Sequence, residues 1–429
     1  LRTQHTFTIK STNFKTQLLQ WSQKFGEVVW LDSNNHQQNY SDYDAVLAVD
    51  ALTCITTDTH LAFDQLQEYQ TVTDDWIFGY LTYDLKNDLE NLQSNNFDGL
   101  NFPELFFFQP KKIFLIKDDK VEMHYLKMVD DEIDSDLKEI DEFTKDQRVL
   151  ISDKINIKLR VTKDHYLEKV NAMLAHIHRG DIYEANFCQE FYAENVTIDP
   201  IETYQKLNTI SKAPFTAFLK NYQYFALSAS PERYLKKKDN IVISQPIKGT
   251  AKRALNGVID AKLKDELKIN LKERSENIMI VDLVRNDLSH TAIKGSVKVA
   301  ELCEVYTFEQ VHQMISTITS KVESSITPVS ILRSTFPMGS MTGAPKISAM
   351  KIIENLEDTK RGLYSGAIGY FNPMGDFDFN VVIRSILYNA ANKYVSYSVG
   401  GAITSKSDPL EEYEECLIKA KAMREVLEN

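Results

Sequence analysis

The sequence predicts an α+β protein built on mostly antiparallel sheet, and three observations carry that expectation. Short apolar runs of strand type recur in series, helical patterns are interspersed among them, and the regular alternation that builds a parallel sheet is missing. With 429 residues and 43% apolar content, the chain can bury a large core, as two domains or one large two-layer body.

Taken in order, the first strand signals fall at 27–31, 45–49, 75–83, 105–108 and 111–116, bounded by Asn, Asp and Gly. The stretch 129–153 is acidic, with Asp130, Asp131, Glu132, Asp134, Asp136, Glu139, Asp141 and Glu142. It is expected to be an exposed helix or connector dividing an N-terminal domain, 1–145, from a larger one, 150–429. Asp164 can cap a helix carrying Tyr166, Val170, Met173, Leu174 and Ile177 at helical spacing, which Arg179-Gly180 closes. Strand patterns follow at 182–191, 216–220, 224–228 and 241–244, then one long helical pattern over 261–284. Further strands are expected at 298–305, 309–321, 365–371, 377–387 and 394–400, with helices over 345–356 and 409–427.

A net charge of -12 argues against binding a nucleic-acid backbone, which needs clustered Lys and Arg. An anionic substrate would require local cations or a metal. Cys54, Cys188, Cys303 and Cys416 lie far apart and form no metal or disulfide pattern, so they read as packing residues of a reducing cytosol. No apolar run reaches the roughly twenty residues that span a membrane.

Two pairs of carboxylates fall at one-face spacing. Glu273 and Glu276 are three apart on the helix after 261; Glu412 and Glu415 are three apart on the last helix, in line with Lys419. Either pair alone suits a solvated helix face, but two pairs sharing a cleft would repel unless a hard dication such as Mg²⁺ lay between them. Gly400-Gly401 is expected to follow a strand and offer its amides to an anion, and Arg384 is a cation in an apolar strand. In Ser244-Gln245-Pro246-Ile247-Lys248-Gly249-Thr250, proline and glycine should make the chain leave its strand beside a lysine. By itself Lys248 reads as an exposed surface lysine. The loop from Gly339 to Lys346 lacks phosphate-loop spacing.

An ordered set of segments resembles the chorismate-utilising enzymes across 160–425. They are Gly180-Asp181-Ile182-Tyr183, Ser230-Pro231-Glu232-Arg233, Pro246 to Thr250, Lys272-Glu273-Arg274-Ser275-Glu276, Met279 to Leu288, Gly339 to Lys346, Ser365 to Tyr370, Val399-Gly400-Gly401 and Glu412 to Glu415. The resemblance implies two antiparallel sheets packed as a sandwich with helices outside, residues 1 to about 145 supplying much of one sheet. Lys248 resembles the branch that aminates chorismate at C4, the aminodeoxychorismate synthase large subunits; anthranilate synthases have alanine there and aminate C2. It implies Lys248 as nucleophile, with an amine kept neutral by desolvation or by cations such as Lys252 and Arg253, and Glu232 as general acid. It also implies Glu276 and Glu415 on Mg²⁺, with Glu273 and Glu412 beside them, and Lys419 with the Gly400-Gly401 amides on the ring carboxylate. Tyr364 and Arg384 correspond to contacts of the enolpyruvyl carboxylate, Thr250 is implied as a substrate-binding residue, and His312 corresponds to a strand histidine near the ring, being otherwise a satisfied core histidine.

Three positions depart from the family pattern. Glu184 stands where amine-using members have glutamine, and a carboxylate there could bind or deprotonate ammonium. Asn277 replaces a histidine. Leu31-Asp32-Ser33 resembles the family's tryptophan pocket, but Ala213-Pro214-Phe215 completes it in place of Ser-Pro-Tyr, so bound tryptophan is admissible through Ser33 and Pro214 and feedback inhibition is not expected. No cysteine sits in a glutaminase elbow, which implies ammonia from a separate glutamine amidotransferase subunit. The rivals are an anthranilate synthase component I, opposed by Lys248, and a non-catalytic tryptophan sensor, opposed by the retained Lys248, Glu232 and metal-site glutamates.

Overall fold

The structure, a computed structural model, describes residues 1–36, 40–142, 155–309 and 311–428. Its strands pair antiparallel in two ladders. The first runs Arg2–Thr8, Lys120–Leu126, Leu105–Lys117, Ala45–Thr57, Glu27–Asp32, Phe215–Asn221, Tyr224–Ser230, Ser385–Asn389, Tyr394–Thr404, Glu184–Glu194. The second runs from the far halves of Ala45–Thr57 and Leu105–Lys117 through Ile77–Leu81, Ala367–Phe371, Phe377–Val381, Arg233–Lys238, Ile241–Gln245, Val311–Lys321 and Lys298–Thr307, with Ile247–Lys252 also on Val311–Lys321. The two shared strands bend where Asp50 takes φ 62° and Ala51 faces Pro110. Proline has no N–H to give, so the register shifts there and each half finds different neighbours.

Alternation of side chains makes the pair of ladders a sandwich. Val28 and Trp30 point into a core shared with Phe14, Leu18, Tyr166 and Met423 of the covering helices. Val29, between them in sequence, points into a second core with Phe78, Tyr80, Ile368 and Phe379 of the other ladder. Phe107 and Phe371 each meet Phe379 there edge to face, each burial contributing roughly 1.5–3 kcal/mol. Pairing of Glu27–Asp32 with Phe215–Asn221, and of Ile77–Leu81 with Ala367–Phe371, joins the first third of the chain to the rest. Among the described residues, no helix is long and apolar enough to cross a membrane.

Several elements differ from expectation for local reasons. The single helix over 261–284 is two, Gly257–Ile269 and Leu271–Ser289, because Asn270 leaves helical geometry and its side chain caps the second. The strand over 377–387 breaks at Arg384, whose φ is 52°. Leu105–Lys117 is continuous, and Thr162 rather than Asp164 caps the helix Lys163–Arg179. The acidic stretch folds as Asp130–Glu132 and Ile133–Glu142 and is not wholly exposed: Asp136 is buried against Lys112 and Tyr125. Its remainder, with the expected domain boundary, lies outside the described residues.

Candidate active site

The site forms where the chain crosses from one ladder to the other. Glu232 lies in the link between Tyr224–Ser230 and Arg233–Lys238, and Arg384 in the return link between Phe377–Val381 and Ser385–Asn389. The two crossings hold each other: Val381 N–H donates to the Glu232 carbonyl at 3.0 Å and Ala229 N–H to the Arg384 carbonyl at 3.2 Å. Lys248 occupies Ile247–Lys252, where the register slips between Ile247 and Thr250 and Gly249 takes φ 96°. That bulge re-aims the lysine, and glycine alone tolerates the angle comfortably.

Lys248 is half-buried, and its charge pulls down on Glu184, Glu232, Glu273, Glu276 and Glu415. The expected cations are elsewhere: Lys252 is exposed and Arg253 is paired with Asp260; Thr250, expected at the substrate, is exposed as well. Burial pushes Glu232 up to about 7, with Ser340, Lys248 and the Ile247 N–H pulling the other way. Burial also raises Glu184, against Lys248. Its Oε2 is buried without a hydrogen-bond partner among the described residues, an acceptor left open.

The two acidic helices do face one another. Burial would lower the Lys272 ammonium, but Glu276, Glu412, Glu273 and Glu415 outweigh it and raise it. Burial raises Glu276 to about 7, and burial raises Glu273 and Glu412, helped in both by the charge of Glu415. Burial acts upward on Glu415 too, but Lys419 at 2.6 Å holds it down. A Cβ on Gly401 would lie 3.1 Å from Glu412 Oε2, and one on Gly249 3.1 Å from Glu273 Oε2, so both glycines leave room for the cluster. Among the described residues no three His, Cys, Asp or Glu side chains converge closely enough to hold a metal as they stand; lysines sit between the carboxylates. The donor chemistry nonetheless fits Mg²⁺, which takes hard oxygens and needs one or two carboxylates besides water and substrate.

Gly400 and Gly401 lie inside Tyr394–Thr404, paired with Cys188 and Phe187, not in a turn after a strand; the Gly400 carbonyl accepts from Lys419 Nζ at 2.8 Å. Arg384 makes no ion pair among the described residues; burial lowers its pKa, while Tyr364 and Glu415 raise it. Tyr364 is buried beside it, 3.6 Å from Cys188 Sγ. A half-buried guanidinium without a carboxylate partner is a prepared anion site. His312 is not available in the same way: its ring nitrogens meet Thr307 Oγ1 at 3.0 Å and Asp260 Oδ1 at 3.1 Å, as in a satisfied core histidine.

Sequence reasoning missed three supports. Asn277 Nδ2 donates to the Lys248 carbonyl at 3.3 Å, Ser340 acts on Glu232, and Lys272 sits among the four glutamates. Asn277 was visible only as a departure from the family pattern, while Ser340 and Lys272 lay inside segments that carry the resemblance without a role attached to them. Separately, Ser33 and Pro214 line one cleft with Asp32, Tyr43 and Arg233, and the Ser33 hydroxyl is buried without a partner among the described residues.

The chain matches the chorismate binding enzyme family over residues 26–425. It is 42% identical over 274 residues to an aminodeoxychorismate synthase of Streptomyces griseus, an alignment covering 63% of this chain and 37% of that protein. It is 39% identical over 269 residues to aminodeoxychorismate synthase component 1 of Salmonella typhimurium, covering 63% of this chain and 59% of that one. The chain thus spans less than two thirds of either relative. Its fold is similar to that of anthranilate synthase component I from Streptococcus pneumoniae, with TM-score 0.79 and 25% identity over 91% of this chain and 94% of the other.

Proposed function

Because the chain belongs to the chorismate binding enzymes, we propose that it aminates chorismate at C4, giving 4-amino-4-deoxychorismate for 4-aminobenzoate and folate synthesis. The observation that carries this reading is Lys248, set on a bulge among Glu184, Glu232 and the acidic helices. The Lys248 amine adds to C2 of the ring, both ring double bonds shift by one position so that the second comes to C4, and the C4 hydroxyl leaves as water with a proton from Glu232. A carboxyl held at about 7 by burial still carries that proton near neutral pH. Ammonia then adds at C4, both double bonds return to their first positions and the C2–N bond breaks, releasing the Lys248 amine. The open Glu184 oxygen takes the proton that the incoming nitrogen sheds. Alanine at 248 would leave ammonia to attack C2, the anthranilate outcome.

Arg384 and Tyr364 bind the enolpyruvyl carboxylate, and Lys419 helps to orient the ring carboxylate. Glu276 and Glu415, with Glu273 and Glu412 beside them, would hold Mg²⁺, whose charge offsets that of the ring carboxylate. Ammonia comes from a glutamine amidotransferase, since none of the four cysteines in these 429 residues occupies a nucleophile elbow. The unpartnered Ser33 hydroxyl in the cleft with Pro214 supports a second, independent reading there: an amino acid such as tryptophan binds without acting on the reaction. Calorimetric titration with tryptophan checks this; no heat at millimolar ligand removes it.

Incubation with chorismate, Mg²⁺ and ammonium, followed by product identification, tests the main reading. The expected product is 4-amino-4-deoxychorismate without pyruvate release. Anthranilate plus pyruvate would establish the rival synthase instead, and no turnover would leave only a binding role.

A further inference from the structure

Arg361 has no part in the chemistry above, yet it is among the most buried charges near the site, 5% exposed beside Glu357 at 6%. Its Nε and Nη2 donate to the two Glu357 oxygens at 2.9 and 2.7 Å. The rest of the fork is spent on backbone: Nη1 donates to the Met341 carbonyl at 2.5 Å and Nη2 to the Asn186 carbonyl at 2.7 Å. Glu357 Oε1 also accepts from the Cys188 N–H at 2.9 Å. Each backbone partner of the pair lies near a site group. Met341 follows Ser340, Asn186 lies just beyond Glu184, and Cys188 touches Tyr364.

The same two segments are joined again by Asn186 N–H to the Thr342 carbonyl at 2.8 Å, by Asn186 Nδ2 to the Ser340 carbonyl at 3.1 Å, and by pairing of Gly343–Ala344 with Ala185 and Glu184. On its far side the guanidinium lies 4.4 Å from the Tyr83 ring centroid, and the Asp84 carboxylate fixes the neighbouring Gly362 N–H at 2.8 Å. A buried ion pair is a poor source of stability, because desolvation cancels much of its attraction. A planar fork that fixes two carbonyls and a carboxylate at once is a good source of geometry.

We propose that Arg361, anchored by Glu357, is a positioning residue that clamps the segment around Ser340 to the strand beginning at Glu184, and so sets Ser340 on Glu232 and Glu184 across from Lys248. The proposal rests on the functional reading only where Glu232 is taken as the acid. Its first readout is therefore the titration of Glu232 itself, taken from the carboxyl band in infrared difference spectra of wild type against Glu232→Gln. Ser340 lowers the pKa of Glu232, so Ser340→Ala raises the midpoint, by about one pH unit for a hydrogen bond to a charged group.

Arg361→Lys keeps the charge but cannot span all four acceptors, and it raises the midpoint in the same direction. The double variant goes no further than Ser340→Ala alone, because both changes remove one contact. Turnover of Arg361→Lys falls about tenfold to a hundredfold, as expected of a small misplacement. An unmoved midpoint in Arg361→Lys, or shifts that add in the double variant, overturns the proposal. Should Arg361→Lys not fold, Glu357→Gln carries the same expectations. If the midpoints shift as described while Glu232→Gln keeps the alkaline limb of kcat/KM, the general-acid reading fails and the positioning role stands.

Discussion

At the scale of single residues, the site is a set of charges whose surroundings hold them away from their ordinary behaviour. Glu232 is 5% exposed and raised to about 7 by burial, so folding favours its protonated form. Its contribution to stability is full below the ordinary carboxyl range and is lost as pH rises through about 7. Glu232→Gln should therefore be more stable than wild type at pH 8, by on the order of 2 kcal/mol, and lose that advantage at pH 4; urea melts at both pH values check this. The identities of Lys248, Glu232 and the four glutamates were legible in the sequence through an ordered family resemblance. Their environments were not. The expected cations near Lys248 point elsewhere because Asp260 engages Arg253, and His312 was indistinguishable from a ligand until Thr307 and Asp260 were found on its ring.

At the scale of elements, the glutamate pairs follow from helical spacing, but their meeting does not. Glu273 and Glu276 sit on Leu271–Ser289 because Asn270 starts a new helix there, a break that apolar periodicity had run through. With Glu276 raised to about 7, the proposed Mg²⁺ would have to compete with a proton at that carboxyl. Mg²⁺ affinity should rise up to tenfold per pH unit between about pH 6 and 7 and level off above, and Glu276→Gln should weaken binding and flatten that slope; titration calorimetry without substrate reads both. Strand ends were misjudged where the backbone departs from regularity. Arg384 at φ 52° ends a strand that reads as continuous, and that departure puts its guanidinium in the crossing. Arg233–Lys238 was missed because its lysines look solvated, whereas Lys236 and Lys237 are buried and paired with Asp42, Asp378 and Asp376.

At the scale of the whole molecule, the antiparallel α+β character was legible from strand series alone, while the sandwich came from resemblance. The bend that makes two layers depends on Asp50 and on Pro110 facing Ala51, a tertiary pairing with no local signature. Since Ile77–Leu81 and Glu27–Asp32 pair with strands hundreds of residues away, a fragment of 1–145 should not fold alone but should do so when expressed with 150–429. Amide exchange checks this, with protection expected only in the joined pair. Crossing between ladders also holds the links that carry Glu232 and Arg384 to one another, with Glu232 under the charge of Lys248, where covalent attack on the ring is expected. The most direct measurement is peptide mass mapping after incubation with chorismate and Mg²⁺ but no ammonium. An adduct of chorismate less water on the peptide carrying Lys248, absent in Lys248→Ala and discharged by ammonium, is the predicted result. A wild-type enzyme that turns over with ammonium yet carries no adduct, or carries it on another residue, would contradict attack by Lys248.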